Sequence, residues 1–204
     1  MNFLAHAWLA GPHAADRVGG MVGDFVKGRL APLPAGLTPE LADGVMLHRL
    51  IDSFADRHPA FLRSRTRVSS VRRRVGGIMV DMFYDHFLAR HWDRFSAEPL
   101  ADFTTALYRE ILAGAHALPP SFLPVFERMA ADDWLAGYRD AARVADALDR
   151  MAVHRLRRPN PLAGAGEELE RDYAGFEADF LVFLPEAEHF AASVRASRDG
   201  SRGG

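Results

Sequence analysis

Apolar residues recur at helical spacing along almost the whole chain, and this pattern restricts the fold more than any other feature of the sequence. Apolar residues at i, i+3, i+4 and i+7 line one face of a helix, whereas a half-buried strand alternates apolar and polar residues. No convincing alternating run of β-branched residues bounded by turn signals occurs. The pattern therefore predicts an all-α fold in which amphipathic helices share one core.

Proline, glycine and N-cap residues divide this pattern into separate helices. Thr38 and Pro39 supply an N-cap and a first-turn proline for one helix, and Pro59 ends it. The predicted helices span residues 2–10, 16–30, 39–57, 60–74, 78–95, 101–117, 121–131, 133–156 and 167–193.

The length and composition of the chain fit one domain. Because 49% of the 204 residues are hydrophobic, the chain can bury a substantial core. We predict a single-domain helical bundle over residues 1–195, with a loop at 157–166 and a disordered tail at 196–204. The glycines within 16–30 predict close contact between that helix and a neighbour.

Charge and cysteine content exclude several classes of protein. Lys and Arg number 25 against 27 Asp and Glu, so overall positive charge cannot attract nucleic acid. Cysteine is absent, which leaves His, Asp and Glu as the metal-binding groups. No apolar stretch reaches the roughly 18 residues of a membrane span. The start of the chain also lacks the positive charge of a signal peptide, so we expect a cytoplasmic protein.

Two clusters of acidic and histidine residues, HRLIDSFADRHP and DMFYDHFLARHW, lie within helical apolar patterns. Because a helix turns by about 100° per residue, His48 and Asp52 share a face, as do Asp81 and Asp85, with His86 beside the second pair. Apolar neighbours place some of these groups near the core, where a carboxylate must be paired, hydrogen-bonded or bound to a cation. Two packed helices could thus offer several ligands to one metal ion. Ordinary salt bridges are the alternative interpretation.

Further polar residues extend the predicted site. His6 and Asp24 stand among apolar or glycine neighbours; each alone is more often a satisfied core group, but beside two acidic pairs they favour a metal site. Oxygen and nitrogen ligands without sulfur suit Mn²⁺, Mg²⁺, Fe²⁺ or Zn²⁺, and the excess of carboxylates favours the first two. Phosphoester hydrolysis is the predicted chemistry, because such an ion polarises a phosphoryl oxygen and lowers the pKa of a water molecule. Arg49 could hold the phosphate, and His86 could protonate a leaving oxygen or bind the metal.

An arginine-rich stretch lies between the two acidic clusters. It contains Arg63, Arg65, Arg67, Arg72, Arg73 and Arg74. A solvated helix face is the default explanation of such a run. The alternative is a surface that attracts an acidic protein partner.

Four motifs spread along the chain carry a family resemblance: MNFLAHAWLA at the start, GDFVKG at 23–28, HRLIDSFADRHP at 48–59 and VDMFYDHFLARHW at 80–92. The similarity continues more weakly through DYAGFEADFLVFLPE at 172–186. In these motifs the chain resembles the bacterial acyl carrier protein phosphodiesterases. The resemblance implies an all-helical fold related to the HD-domain metal phosphohydrolases. It also implies removal of 4′-phosphopantetheine from holo-acyl carrier protein with a divalent metal, typically Mn²⁺.

The resemblance also implies roles for individual residues. The implied metal ligands are His6, Asp24, His48, Asp52, Asp81 and Asp85. Arg49 and His86 are the implied catalytic residues, although Asp85 and His86 stand in the reverse order of a His-Asp pair. We expect the acidic carrier to dock on Arg63, Arg67, Arg72, Arg73 and Arg74. The alternatives are an HD-type phosphohydrolase that acts on a nucleotide or another small phosphodiester, and a non-catalytic helical binding module.

Overall fold

A computed structural model describes residues 1–154 and 160–202, and within these ranges the chain forms helices and no strand. The α-helices are α1 (Phe3–Leu9), α2 (Ala14–Val22), α3 (Pro39–Ala55), α4 (Pro59–Arg67), α5 (Gly76–Arg90), α6 (Leu100–Ala113), α7 (Leu123–Ala131), α8 (Trp134–Gly137), α9 (Ala141–His154), α10 (Gly166–Arg171) and α11 (Tyr173–Arg202). Short 3₁₀ turns occupy Gly23–Phe25, Arg73–Val75, Trp92–Arg94 and Ala115–Ala117. The predicted all-α fold is confirmed.

Helices α3 and α4 begin where proline and a capping residue predict a start. The Thr38 hydroxyl accepts a hydrogen bond from the Leu41 amide at 3.2 Å, and Pro39 follows it. At the start of α4, Nδ1 of His58 accepts from the Ala60 amide, also at 3.2 Å. These side chains satisfy amide groups that have no partner within the helix.

Glycines bring α2 and α3 into close contact. A Cβ atom on Gly19 would lie 2.5 Å from Cα of Gly44, so only glycine allows the two backbones to approach this closely. Helix α2 ends at Val22 rather than continuing to residue 30, and the chain turns at Gly23, where a side chain would overlap the ring of His48. The predicted close packing is confirmed, whereas the predicted length of this helix is wrong.

Helix α5 lies in the centre of the core and packs against α11. The rings of Phe83 and Phe176 are 5.1 Å apart, and those of Tyr84 and Phe180 are 5.5 Å apart, with all four side chains buried. Burial of each large apolar side chain stabilises the fold by roughly 1.5–3 kcal/mol. This core fixes the orientation of α5, and therefore of the acidic residues along it.

The C-terminal segment differs from the predicted disordered tail over 196–204. Helix α11 continues to Arg202, because Arg198 reaches back to Asp16 on α2 with two contacts of 2.5 and 2.7 Å. The Asp16 side chain is buried, so this ion pair fastens the end of the chain to the core. Residues 203–204 lie outside the described ranges.

The predicted helix over 133–156 is also divided. It consists of α8 and α9, and its last two residues, like the first part of the predicted loop at 157–166, lie outside the described ranges. No helix among the described residues is long and apolar enough to cross a lipid bilayer.

Candidate metal centre

Three predicted metal ligands meet between α1 and α3. One ligand atom from each of His6, His48 and Asp52 lies within 4.8 Å of the other two. Nε2 of His6 is 3.0 Å from Oδ1 of Asp52, and Nε2 of His48 is 3.2 Å from Oδ2 of the same carboxylate. The two imidazole rings stack with their centroids 3.7 Å apart. Residues 46 positions apart in the sequence thus form one compact group of nitrogen and oxygen atoms.

Two further carboxylates border this group. Oδ1 of Asp24 is 3.7 Å from Nε2 of His48. Oδ1 of Asp81 is 2.8 Å from the Met1 amino nitrogen, which is in turn 3.2 Å from Oδ1 of Asp52. The structure therefore brings together five of the six predicted metal residues. We call His6, Asp24, His48, Asp52 and Asp81 the His–Asp cluster.

The His–Asp cluster borders a cavity of about 300 Å³. Asp24 and Asp81 line this cavity, together with Asn2 from the start of the chain and Met151 from α9. The remaining wall includes apolar side chains such as Ile78. A small polar group could therefore reach the two carboxylates from outside the core.

The orientation of His48 suits a metal ligand. Its Nδ1 lies 2.8 Å from the Gly20 carbonyl oxygen and donates a hydrogen bond to it, which leaves Nε2 directed at Asp24 and Asp52. Metal-binding histidines commonly fix their second ring nitrogen in this way. Nδ1 of His6 is buried and has no hydrogen-bond partner among the described residues. Imidazole nitrogens beside carboxylates, in a chain without cysteine, fit a divalent cation.

The two imidazoles of the cluster differ in charge. Burial and the neighbouring His48 lower the pKa of His6 to about 3. Burial alone would lower the pKa of His48 as well, but hydrogen bonds to Asp24 and Asp52 and their negative charges raise it to about 9. Burial would raise the pKa of Asp52, but hydrogen bonds from both histidines hold it well below its usual range. At neutral pH the cluster alone therefore holds a proton on His48, where a cation would otherwise balance the carboxylates.

Asp85, the sixth predicted metal residue, lies outside the His–Asp cluster. Its Oδ2 accepts a hydrogen bond from the Leu4 amide at 2.8 Å, and its Oδ1 accepts one from the Ala5 amide at 3.1 Å. Asn2, the N-cap of α1, makes no side-chain cap, so Asp85 supplies it from another helix. Burial raises the pKa of Asp85 to about 7, although both amides favour the charged form. Asp85 holds the helix that carries His6.

The structure does not bring His86 to the cluster. Nδ1 of His86 lies 2.8 Å from the Tyr138 carbonyl oxygen, and Nε2 lies 2.8 Å from the Tyr173 hydroxyl. The side chain is buried, and burial lowers its pKa. Both ring nitrogens thus link α5 to other parts of the core.

Arg49 supports the segment that follows Asp24. Its Nη1 donates to the Gly28 carbonyl and its Nη2 to the Val26 carbonyl, each at 2.8 Å. These bonds fasten the chain just beyond the 3₁₀ turn that carries Asp24. The role of Arg49 that the geometry supports directly is positional.

The arginine-rich stretch divides into members that pair with buried carboxylates and members that do not. Arg63 and Arg67 both bind the buried carboxylate of Asp179, at 2.9 and 2.8 Å. Arg72 contacts Glu168, whose side chain is also buried, at 3.3 Å. These three predicted docking residues hold α4 and the segment after it against α10 and α11. By contrast, Arg73 and Arg74 are exposed, and neither forms an ion pair within residues 1–154 and 160–202.

Sequence reasoning missed two contributors to the site. Gly20 orients His48 through its carbonyl oxygen, and Asn2 lines the cavity. The run of glycines near Gly20 was the available signal, because it exposes backbone groups to a neighbouring helix. No pattern in the sequence distinguishes Asn2.

Comparison with known proteins places this chain in a family. The family model described as acyl carrier protein phosphodiesterase matches residues 1–187. A protein of that name from Yersinia pestis is 36% identical over 189 residues, covering 91% of this chain and 94% of the relative. Its namesakes from Serratia proteamaculans and Escherichia coli O157:H7 are 34% and 32% identical over 188 and 186 residues. They cover 91% of this chain and 95% and 94% of the relatives.

No solved structure is significantly similar to the chain, so the predicted relation to the HD-domain fold stays a prediction. The family itself rests on a match over nearly the whole length and on relatives that are at least 32% identical. The chain therefore belongs to the acyl carrier protein phosphodiesterase family.

Proposed function

We propose that this protein is a metal-dependent phosphodiesterase that removes 4′-phosphopantetheine from holo-acyl carrier protein and leaves the apo-carrier. The observation that carries the proposal is the meeting of His6, His48 and Asp52 within 4.8 Å beside an accessible cavity. The name that the relatives share supports an acyl carrier protein as the substrate and a phosphodiester as the bond that is cleaved. A cytoplasmic location is part of the same proposal.

The proposed cofactor is one divalent metal ion, with Mn²⁺ preferred over Mg²⁺, Fe²⁺ and Zn²⁺. His6, His48 and Asp52 would hold it, and Asp24 and Asp81 lie close enough to complete or neutralise the site. Imidazoles favour a transition metal and carboxylates favour a hard cation, and Mn²⁺ accepts both. When bound, such an ion would supply an activated water molecule and polarise a phosphoryl oxygen.

Arg49 contributes to phosphate binding in two ways. It fixes Val26 and Gly28, and so holds the turn that presents Asp24 at the cavity. A guanidinium group has five N–H donors, so donors remain for a phosphoryl oxygen after the two carbonyl bonds are made. Its positive charge would stabilise the negative charge that develops on the phosphoryl group.

The carrier protein would dock on the outward arginines, Arg73 and Arg74. The neighbouring Arg72 donates to the carbonyl oxygens of Pro161 and Ala163, on either side of Leu162, which lines the cavity. Arg72 is therefore held beside the cavity wall, and the outward arginines, Arg73 and Arg74, follow it directly in the sequence. An acidic carrier would be attracted to this positive surface while its prosthetic group enters the cavity.

The chemistry is tested by incubating the purified protein with holo-carrier and Mn²⁺ and measuring the intact mass of the carrier. We expect the carrier to lose the phosphopantetheine group, and a chelator to prevent the loss. An unchanged carrier mass with each of Mn²⁺, Mg²⁺, Fe²⁺ and Zn²⁺ would refute the proposed function.

The docking surface is tested separately with Arg74→Glu. We expect a several-fold higher KM for the carrier at low salt and a smaller difference at high salt, because exposed charges act mainly on association. Arg109→Glu, at an exposed position on α6, is the matched control and should leave KM unchanged. Equal KM values for the two variants would remove Arg74 from the docking surface.

A further inference from the structure

A second recess of about 340 Å³ adjoins the cavity at the His–Asp cluster. Met151 lines both. At two places, consecutive residues divide between them: Asn2 and Asp24 line the cavity, whereas the next residues, Phe3 and Phe25, line the recess. We call the recess the apolar groove; it lies next to the cavity that Asp24 and Asp81 line.

The walls of the apolar groove are chemically distinct from the cavity. Phe3, Phe25, Val125, Trp134, Ala147 and Met151 provide apolar surface. Two exposed arginines, Arg128 and Arg150, also border it, and the Arg150 guanidinium lies 5.9 Å from the centre of the Trp134 ring. Apolar walls with a few polar groups are typical of sites for small molecules.

We propose that the apolar groove holds the pantetheine arm of the substrate, an inference that rests on the proposed function. When the scissile phosphodiester is at the His–Asp cluster, the arm and the carrier protein must extend from it in different directions. The arm carries a dimethyl group and methylene segments that suit the aromatic walls. It also carries amide carbonyls that can accept hydrogen bonds from Arg128 and Arg150.

The size of the groove favours this occupant over a segment of the carrier polypeptide. A helix with its side chains is about 10–12 Å across, and a specific protein interface covers roughly 800 Å² on each partner. The groove volume of about 340 Å³ instead corresponds to a single small-molecule chain. The carrier itself is expected on the outward arginines.

The groove can be filled from two helices independently. Ala147→Phe acts from α9 and Val125→Phe acts from α7, and both positions line the groove. Ala142→Phe, at an exposed position on α9, is the matched control. Each groove variant should lower kcat/KM for holo-carrier by about tenfold or more, because remote binding energy positions the reacting group. Both groove variants should hydrolyse methyl p-nitrophenyl phosphate, which lacks the arm, at the same rate as the wild-type protein.

Free pantetheine provides a second measurement that does not depend on the variants. It should inhibit hydrolysis of holo-carrier by the wild-type protein competitively. Wild-type turnover of holo-carrier in both filled variants would contradict the assignment of the groove to the pantetheine arm. So would a lack of inhibition by pantetheine at millimolar concentration. Either result leaves the proposed function intact. If wild-type protein leaves holo-carrier intact with every metal, both proposals fail.

Discussion

Helices α3 and α5 carry similar acidic and histidine motifs, but only α3 contributes both residues of its i, i+4 pair to the His–Asp cluster. On α3, His48 and Asp52 both belong to the cluster. On α5, Asp81 belongs to the cluster, whereas Asp85 binds backbone amides and His86 binds a carbonyl and a tyrosine hydroxyl. The same i, i+4 spacing thus builds a site on one helix and supports it from the other.

The difference arises from what packs against each helix. One turn separates Asp81 from Asp85, which is about 6 Å along a helix axis. Because of this displacement, the carboxylate of Asp81 lies at the edge of the cavity, whereas that of Asp85 lies at the first turn of α1. The amide groups of that turn lack partners within their own helix. The positive end of the α1 dipole also favours a carboxylate there.

Asp52→Asn should have the largest effect, because it removes the carboxylate that contacts both cluster histidines. Loss of metal-based stabilisation of several kcal/mol in the transition state lowers kcat by roughly a thousandfold. Calorimetry should also detect no Mn²⁺ binding. Asp56→Asn, one turn further at an exposed position, is the control and should bind Mn²⁺ normally. Normal binding by the Asp52 variant would break the contrast between the two helices.

Asp85→Asn should weaken the protein without removing the metal. An asparagine can accept from only one of the Leu4 and Ala5 amides, and the unpaired amide costs about 1–3 kcal/mol of folding free energy. Because α1 carries His6, a less well held helix should reduce metal affinity about 10–100-fold, as for other residues that orient ligands. Thermal unfolding and Mn²⁺ titration measure the two effects. A complete loss of binding, equal to that of Asp52→Asn, would make α5 a source of two ligands.

The pH dependence of metal affinity should locate the proton that the cation displaces. His48 has its pKa raised to about 9, whereas His6, with a pKa of about 3, is already neutral. A cation must therefore displace one proton from His48. Its apparent affinity should rise by up to about tenfold per pH unit between about pH 6.5 and 8.5. Titration in buffers of different ionisation enthalpy counts this proton. The slope should persist in Asp85→Asn; affinity independent of pH in the wild type would contradict the assignment.

The helices were largely predictable because their signals are local. Thr38 with Pro39 marked the start of α3 through the chemistry of its first turn. Where prediction failed, distant contacts matter: at the end of α2 the ring of His48 occupies the space beside Gly23, so that no side chain fits there. Likewise, Arg198 continues a helix in the expected disordered tail through contact with Asp16, 182 residues away.

The cluster was predictable in membership but not in the use of each residue. Carboxylates and imidazoles on apolar faces require partners, and five of the six predicted ligands lie together in the His–Asp cluster. The sequence predicts a metal role for Asp85 because its actual partners are backbone amides, which occur at every residue except proline and leave no sequence pattern. The sequence predicts a docking role for Arg63 and Arg67 for a similar reason: their shared acceptor, Asp179, lies more than 100 residues away.

His86→Gln should have the smallest effect on the rate. Glutamine can still donate to the Tyr138 carbonyl and accept from the Tyr173 hydroxyl, so we expect a loss of about 0.5–1.5 kcal/mol per weakened bond in folding free energy. The kcat should stay within about threefold, with the same dependence on pH, because the ring contacts no member of the His–Asp cluster within the described structure. Tyr173→Phe, which removes one of the same bonds, should behave alike. If His86 instead protonates the leaving oxygen, its loss lowers kcat by about 10²–10⁴-fold and removes one limb of the pH profile, while Tyr173→Phe keeps both. The pair of variants thus separates a proton donor from a support of α5.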